Sequence, residues 1–269
     1  MKNYKLTILK IGGSVITDKN KELQVRMPTV NRLAEEIKKA EVSNLIIVHG
    51  GGSFGHPLAQ EYDLKGGLKN QVQKKGFSET HHVMTVLNGL FMDALIWRNI
   101  PAVSITPSSC IMTENGRIKT FEDKPLKKML EMNFIPVLYG DAVLDLKLGF
   151  TILSGDQLVS ELAVRFNAER IIIGVDVDGL YDYDPKVNEN AKLFTCLTLK
   201  ELKNLRRKLT KPKTVDVTGG MLGKINEIIT AAEKGIPVKI VNATKPNYIY
   251  KALKGENVRG TLIEGGKID

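Results

Sequence analysis

Several residue groups in this chain have the types and spacing needed to handle anions. Lys10-Ile11-Gly12-Gly13-Ser14 closes a short β-branched run. Paired glycines after a strand let backbone N–H groups approach phosphate oxygens, and Lys10 adds a point charge at the loop's mouth. An ordinary turn would use the same glycines. His49-Gly50-Gly51-Gly52-Ser53-Phe54-Gly55-His56 places four glycines in six positions. Turning alone does not need so many, because each costs about 0.5–1 kcal/mol of backbone entropy in regular structure. Gly50, Gly52 and Gly55 match Gly-x-Gly-x-x-Gly, yet no acidic residue closes a strand about 20 residues on, so a dinucleotide site fails on context. There is no Walker A loop either: Lys224 follows Gly223, but position 218 is Thr and position 225 is Ile. Two glycine loops ending the first two strands suit two phosphates facing each other, as phosphoryl transfer requires.

Further polar groups recur later in the chain. Thr218-Gly219-Gly220-Met221-Leu222-Gly223-Lys224 opens a helical pattern. A helix start behind glycines favours anions, and Lys224 could reach one. Ser154-Gly155-Asp156 precedes another helix, where either polar residue could be the cap, or Asp156 could face a cleft and orient lysines. Asp176-Val177-Asp178-Gly179 follows a strand and reads as a turn or as a nucleotide contact. It is no EF-hand, because the ligand at position 12 is missing. His81 and His82 are adjacent, hence on different helix faces, and give no metal pair. Cys110 and Cys196 form no Cys-x-x-Cys pair and read as free thiols.

The elements that must position these groups alternate in kind. Apolar runs at Leu6–Leu9, Leu45–Val48, Ala102–Ile105, Ile135–Tyr139, Ile171–Val175 and Val238–Val241 predict buried, mainly parallel strands. Between them, Val30, Leu33, Ala34 and Ile37 share a helix face. Leu158, Leu162 and Phe166 share another, and Met221, Ile225, Ile228, Ile229 and Ala232 a third. Alternation of strand and helix predicts a three-layer, doubly wound α/β fold with ligands at the carboxyl ends of the strands. Asn115-Gly116 and Asp145–Gly149 predict two hairpins, expected as additions near the middle of the sheet.

The chain has 269 residues, 42% hydrophobic and 26% charged, which suits a soluble fold with a sizeable core. No apolar stretch approaches the roughly 20 residues of a membrane span, and the first ten residues lack a signal-peptide core. A cytoplasmic protein with no membrane partner is the expectation. The net charge is +9, but Lys and Arg are spread along the chain. The densest cluster, from Leu205 to Lys213, is short and lacks interleaved aromatics. It predicts a solvated face and no nucleic-acid partner.

Five segments together resemble the amino acid kinase superfamily, in the family's order. They are Lys-Ile-Gly-Gly-Ser at 10–14, His-Gly-Gly-Gly at 49–52, Ser-Gly-Asp at 154–156, Asp-Val-Asp-Gly at 176–179 and Asp-Val-Thr-Gly-Gly-Met at 216–221. Gly-Ser-Phe-Gly-His at 52–56, Pro-Ala-Val-Ser-Ile at 101–105 and Ile-Leu-Ser-Gly-Asp-Gln-Leu at 152–158 are similar to the isopentenyl phosphate kinases within it. The resemblance implies a single domain over 1–269, with about 1–165 on the substrate side and about 166–269 on the nucleotide side. It implies ATP, Mg²⁺ held mainly by the phosphates rather than by protein ligands, isopentenyl phosphate as acceptor, and a homodimer. Lys10 and Lys224 would hold the ATP phosphates, and Lys19 would stabilise the transition state. Ile11, Gly12, Gly13, Ser14 and Gly51 would line the nucleotide, and Asp176 and Gly220 would contact it. His56 would bind the acceptor phosphate beside Gly50, Gly55 and Gly155. Asp156 would organise the lysines.

The residue chemistry agrees with that resemblance. A phosphate monoester has its second pKa near 6, so the nucleophile is already anionic and needs no base. It needs cations to offset repulsion between two anions. An isoprenoid tail also needs an apolar pocket, which Val83, Val86, Leu87, Leu90 and Phe91 could line unless they pack the core. A sister kinase acting on another phosphate or on a phosphonate such as fosfomycin is the alternative. A non-catalytic ligand binder or nucleic-acid binder is the alternative of another class.

Overall fold

The computed structural model describes residues 5–209 and 221–266. In chain order the first half runs β1 (Thr7–Ile11), α1 (Gly13–Ile16), α2 (Met27–Ala40), β2 (Leu45–His49), α3 (Gly52–Glu61), α4 (Gln71–Ile96), β3 (Ala102–Ser104), β4 (Ile111–Glu114), β5 (Arg117–Phe121) and α5 (Lys124–Glu131). The second half runs β6 (Ile135–Tyr139), β7 (Asp141–Asp145), β8 (Gly149–Leu153), α6 (Gly155–Arg165), β9 (Arg170–Val175), β10 (Cys196–Leu197), α7 (Leu199–Leu209), α8 (Met221–Glu233), β11 (Val238–Asn242), α9 (Tyr248–Lys254) and β12 (Gly260–Ile263).

Eight strands form one sheet in the order β10-β12-β11-β9-β1-β2-β6-β3. All neighbours run parallel except β11 and β12. The six expected parallel strands are all present. Because side chains alternate along a strand, β1 sends Ile8 to one face and Leu9 and Ile11 to the other. The first face packs against Leu126 of α5, Leu158 and Leu162 of α6, Leu202 of α7 and Ile225 and Ile228 of α8. The second packs against Val30, Leu33 and Ile37 of α2, Leu87 and Phe91 of α4, and Ile249 of α9. These layers are the three-layer doubly wound architecture expected from the sequence. The centre of the sheet, β9-β1-β2, is where the chain reverses direction of growth, and ligands in such sheets sit there, beyond the carboxyl ends.

The hairpins differ from expectation in their place. Asn115 and Gly116 do turn β4 into β5, with φ of 51° and 77°. β7 and β8 pair antiparallel as expected. However, the two hairpins join each other into a separate four-stranded sheet, β5-β4-β7-β8. Asp145 fastens the junction: it accepts from Thr113 Oγ1 at 2.8 Å, from Gly116 N at 2.8 Å and from Leu148 N at 2.8 Å. These donors more than offset the burial that opposes its charge, and hold its carboxyl well below the usual range.

Candidate active site

The two glycine loops meet back to back. Gly12 N donates to Gly174 O at 2.8 Å and Gly50 N donates to Ile11 O at 3.0 Å, so each loop leaves the sheet still pinned to a neighbouring strand. A Cβ on Gly13 would stand 2.1 Å from Gly52 N, a contact only glycine permits. Gly52 itself has φ of 50°. His49 ends β2 beneath the second loop, its ring stacked on Tyr139 with centroids 5.4 Å apart. Its Nδ1 lies 3.2 Å from Gly50 O and its Nε2 3.2 Å from Asn88 Oδ1.

Asp156 is the hub of the site. Ser154, not Asp156, caps α6, its hydroxyl accepting from Gln157 N at 3.1 Å. Asp156 is therefore free to accept from Lys10 Nζ at 2.8 Å and from Lys224 Nζ at 2.8 Å. Burial alone would raise its pKa, but the two ammonium groups outweigh this and hold it well below the carboxylate range. Lys10 is pushed down by burial and by Lys224, with Asp156 pulling it back. Further out, Lys19 Nζ and Lys186 Nζ share Asp176 Oδ2 at 3.1 and 2.5 Å. Burial opposes the Asp176 charge, and these two partners lower its pKa to about 2. His56 has an exposed surface yet stands in the concave wall of the site. Its crowding there lowers its pKa first, the Lys10 charge second, and Asp156 opposes both.

Two cavities open on this hub. The larger, about 820 Å³, is lined by Lys10, Gly12, Ser14, Lys19, Asp176 and Lys224 among others. The smaller, about 130 Å³, is lined by Gly50, Gly51, Gly55 and Gly155, with Ala59, Met84, Ile152 and Leu153 forming its apolar part. Lys10, Gly13, His56 and Asp156 line both.

Nearly all the residues singled out from sequence thus gather at one place. Ile11 does not: its side chain is buried in the core under α2 and α4. Gly51 lines the smaller cavity and not the larger. Gly220 lies outside the described residues. Of the helix residues considered for a tail pocket, Leu87 and Phe91 pack the core and Val86 faces solvent. Met84, one turn away on α4, lines the smaller cavity, its sulfur 2.8 Å from where a Cβ on Gly51 would be. Lys186 and Thr17 were not singled out from sequence, nor was the pairing of His81 with Asp141, Nδ1 to Oδ1 at 3.0 Å. The His81–Asp141 pairing spans 60 residues and the Thr17–Ser53 contact 36, so local spacing shows neither, and Lys186, ten residues from Asp176, stands among ordinary loop charges.

Residues 5–242 match the Amino acid kinase family. The chain is 43% identical to the isopentenyl phosphate kinase of Methanothermobacter thermautotrophicus, over 97% of this chain and 99% of that one. It is 39% identical to the isopentenyl phosphate kinase of Methanocaldococcus jannaschii, over 96% and 98%. A solved isopentenyl phosphate kinase structure superposes with a TM-score of 0.85 at 40% identity, covering 96% of this chain and 99% of the other. The chain belongs to the amino acid kinase family and, within it, to the isopentenyl phosphate kinases.

Proposed function

We propose that the chain transfers the γ-phosphoryl group of ATP to isopentenyl phosphate, giving isopentenyl diphosphate and ADP for isoprenoid biosynthesis. The observation that carries this reading is the junction of the two cavities at Lys10, Gly13, His56 and Asp156. A nucleotide in the larger cavity and a phosphate with a short apolar tail in the smaller would meet there, phosphate to phosphate. Met84, Ile152 and Ala59 suit a five-carbon chain better than a polar phosphonate.

In this reading an acceptor oxygen attacks the γ-phosphorus in line as the bond to the β-γ bridging oxygen breaks. No proton has to leave the nucleophile. Lys10 and Lys224, held side by side by Asp156, take the charge spreading over the transferring oxygens. Lys19 leaves Asp176 for the nucleotide phosphates, with Lys186 remaining to balance that carboxylate. Backbone N–H groups of Gly13 and Ser14 face the nucleotide, whereas the Gly12 N–H expected beside them is used by Gly174 O. His56, beside Gly50, Gly55 and Gly155, binds the acceptor phosphate. Mg²⁺ would be held mainly by the nucleotide phosphates and would supply neutralising charge there. Asp156 already shares its two oxygens between lysines, which fits a metal carried by the nucleotide.

Residues up to about 165 would serve the acceptor and those beyond it the nucleotide, within one domain. We also read the protein as a cytoplasmic homodimer. The exposed stripe of α4 and its end, with Val86 at 43%, Ile96 at 53% and Trp97 at 84% exposure, supports a second copy there. No helix of the described residues is long and apolar enough to cross a membrane.

A coupled ADP-release assay with isopentenyl phosphate, fosfomycin, acetylglutamate and UMP as parallel acceptors tests the function. Preference for isopentenyl phosphate is expected. Preference for another acceptor would discard the substrate, and no turnover with any would discard the reaction.

A further inference from the structure

We infer that Thr17 is a positioning residue that fixes the separation of the two phosphate-binding loops through its hydroxyl group. The inference rests on the phosphoryl-transfer reading above and concerns a residue that touches neither phosphate.

Thr17 is fully buried behind the site. Its Oγ1 donates to Gly13 O at 2.9 Å and accepts from Ser53 N at 3.0 Å. One hydroxyl therefore holds the first glycine loop by its acceptor and the second by its donor. The second loop is pressed close onto it: a Cβ on Gly52 would stand 2.0 Å from the same oxygen. Thr17 also begins the turn that carries Lys19. It forms an antiparallel bridge with Val25, and Asp18 N donates to Gln24 O at 2.9 Å just beyond. The Gly13 loop, the loop leading to His56 and the Lys19 turn are thus referenced to one atom.

In-line transfer between two anions depends on the spacing of their cradles, more than on either cradle alone. A group that sets this spacing should govern turnover while leaving each ligand's own affinity nearly intact. The role needs a group that donates and accepts together, which serine supplies and valine does not.

The test compares Thr17→Val, nearly equal in volume, with Thr17→Ser, which keeps the hydroxyl. Three readouts are taken on the full chain: steady-state kinetics with ATP and isopentenyl phosphate, nucleotide Kd by direct titration, and amide hydrogen exchange at Ser53. Thr17→Val is expected to lower kcat about a hundredfold, the scale of an ångström of misplacement, with nucleotide Kd near wild type. It should also speed exchange at Ser53. Thr17→Ser should do neither. Wild-type kcat and exchange in Thr17→Val would overturn the inference. So would equal losses in both variants, which would assign the effect to the methyl group. Should Thr17→Val fail to fold, Thr17→Cys, a weak donor and acceptor, must fall between serine and valine, and parity with serine would overturn the role. If wild type turns over no isopentenyl phosphate, the proposed function fails, while exchange at Ser53 still decides the role of Thr17.

Discussion

Lys224 donates to both carboxylate oxygens of Asp156, at 2.8 and 3.1 Å, and so fixes the plane of that carboxylate across the site. Lys10 then has one direction from which to reach Oδ1, at 2.8 Å from β1. Two ammonium groups from different layers are thereby aimed at a common space, with the Asp156 carboxylate offsetting their repulsion.

Asp156→Asn should therefore act on both stability and catalysis. Lys10 is almost wholly buried, its side chain 6% exposed, so loss of its counter-charge is expected to destabilise the fold by about 3 kcal/mol. Turnover should fall about a hundredfold or more, because the transition-state cations lose their aim. Thermal unfolding of Asp156→Asn, Lys10→Met and the double variant checks the first point. The double variant should lose less than the sum of the singles. Strict additivity would show that the two do not form a coupled pair.

His56→Ala should separate the two substrates. Removing a donor to a charged phosphate costs about 1.5–3 kcal/mol, so kcat/KM for isopentenyl phosphate should fall about tenfold to a hundredfold. Direct titration with ATP should give a wild-type Kd, because the proposed role assigns His56, which lines both cavities, to the acceptor phosphate. A weakened ATP titration would move His56 to the nucleotide.

Sequence spacing made the core sheet and its loops legible for a local reason. Each glycine loop directly follows its strand, so Lys10, Gly12, Gly13 and Gly50 carry their own context within a few residues. The apolar lining of the smaller cavity had no such context. α4 runs 26 residues and buries Met84, Leu87 and Phe91 on neighbouring sides. Its apolar stripe is wide because a loop, a sheet and another helix all meet it, and periodicity cannot say which neighbour each residue meets. The second sheet was hidden similarly: β4 pairs with β7 at Thr113 and Asp145, 32 residues apart, and neither hairpin's own pattern names that partner.

Ile152→Phe tests the tail pocket. Ile152 is half-buried on β8 and lines the smaller cavity, so a phenyl ring there would fill it. Excluding about two methylene groups of the acceptor would cost about 1.5 kcal/mol, or roughly tenfold in KM for isopentenyl phosphate. The KM for ATP should hold. An unchanged acceptor KM would place the tail elsewhere.

His49 supplies a pH signature of the second glycine loop. Its ring is completely buried between Tyr139 and Phe91, and burial lowers its pKa from the usual 6.5 to about 4. The folded protein thus keeps the ring neutral where the unfolded chain protonates it. The sign follows from linkage: the full stability is present above pH 6.5, and is lost as pH falls from there towards about 4. At 1.36 kcal/mol for each pH unit the loss is roughly 3 kcal/mol by the lower bound. Carboxylates titrate in the same range, so the comparison must be with His49→Gln, which keeps polar contact to Gly50 but takes up no proton. Denaturant unfolding at pH 7 and pH 4.5 should show a smaller fall in stability for His49→Gln than for wild type. Equal falls in both proteins would mean that His49 takes up its proton without loss of the fold, and that the stacked ring does not hold the loop.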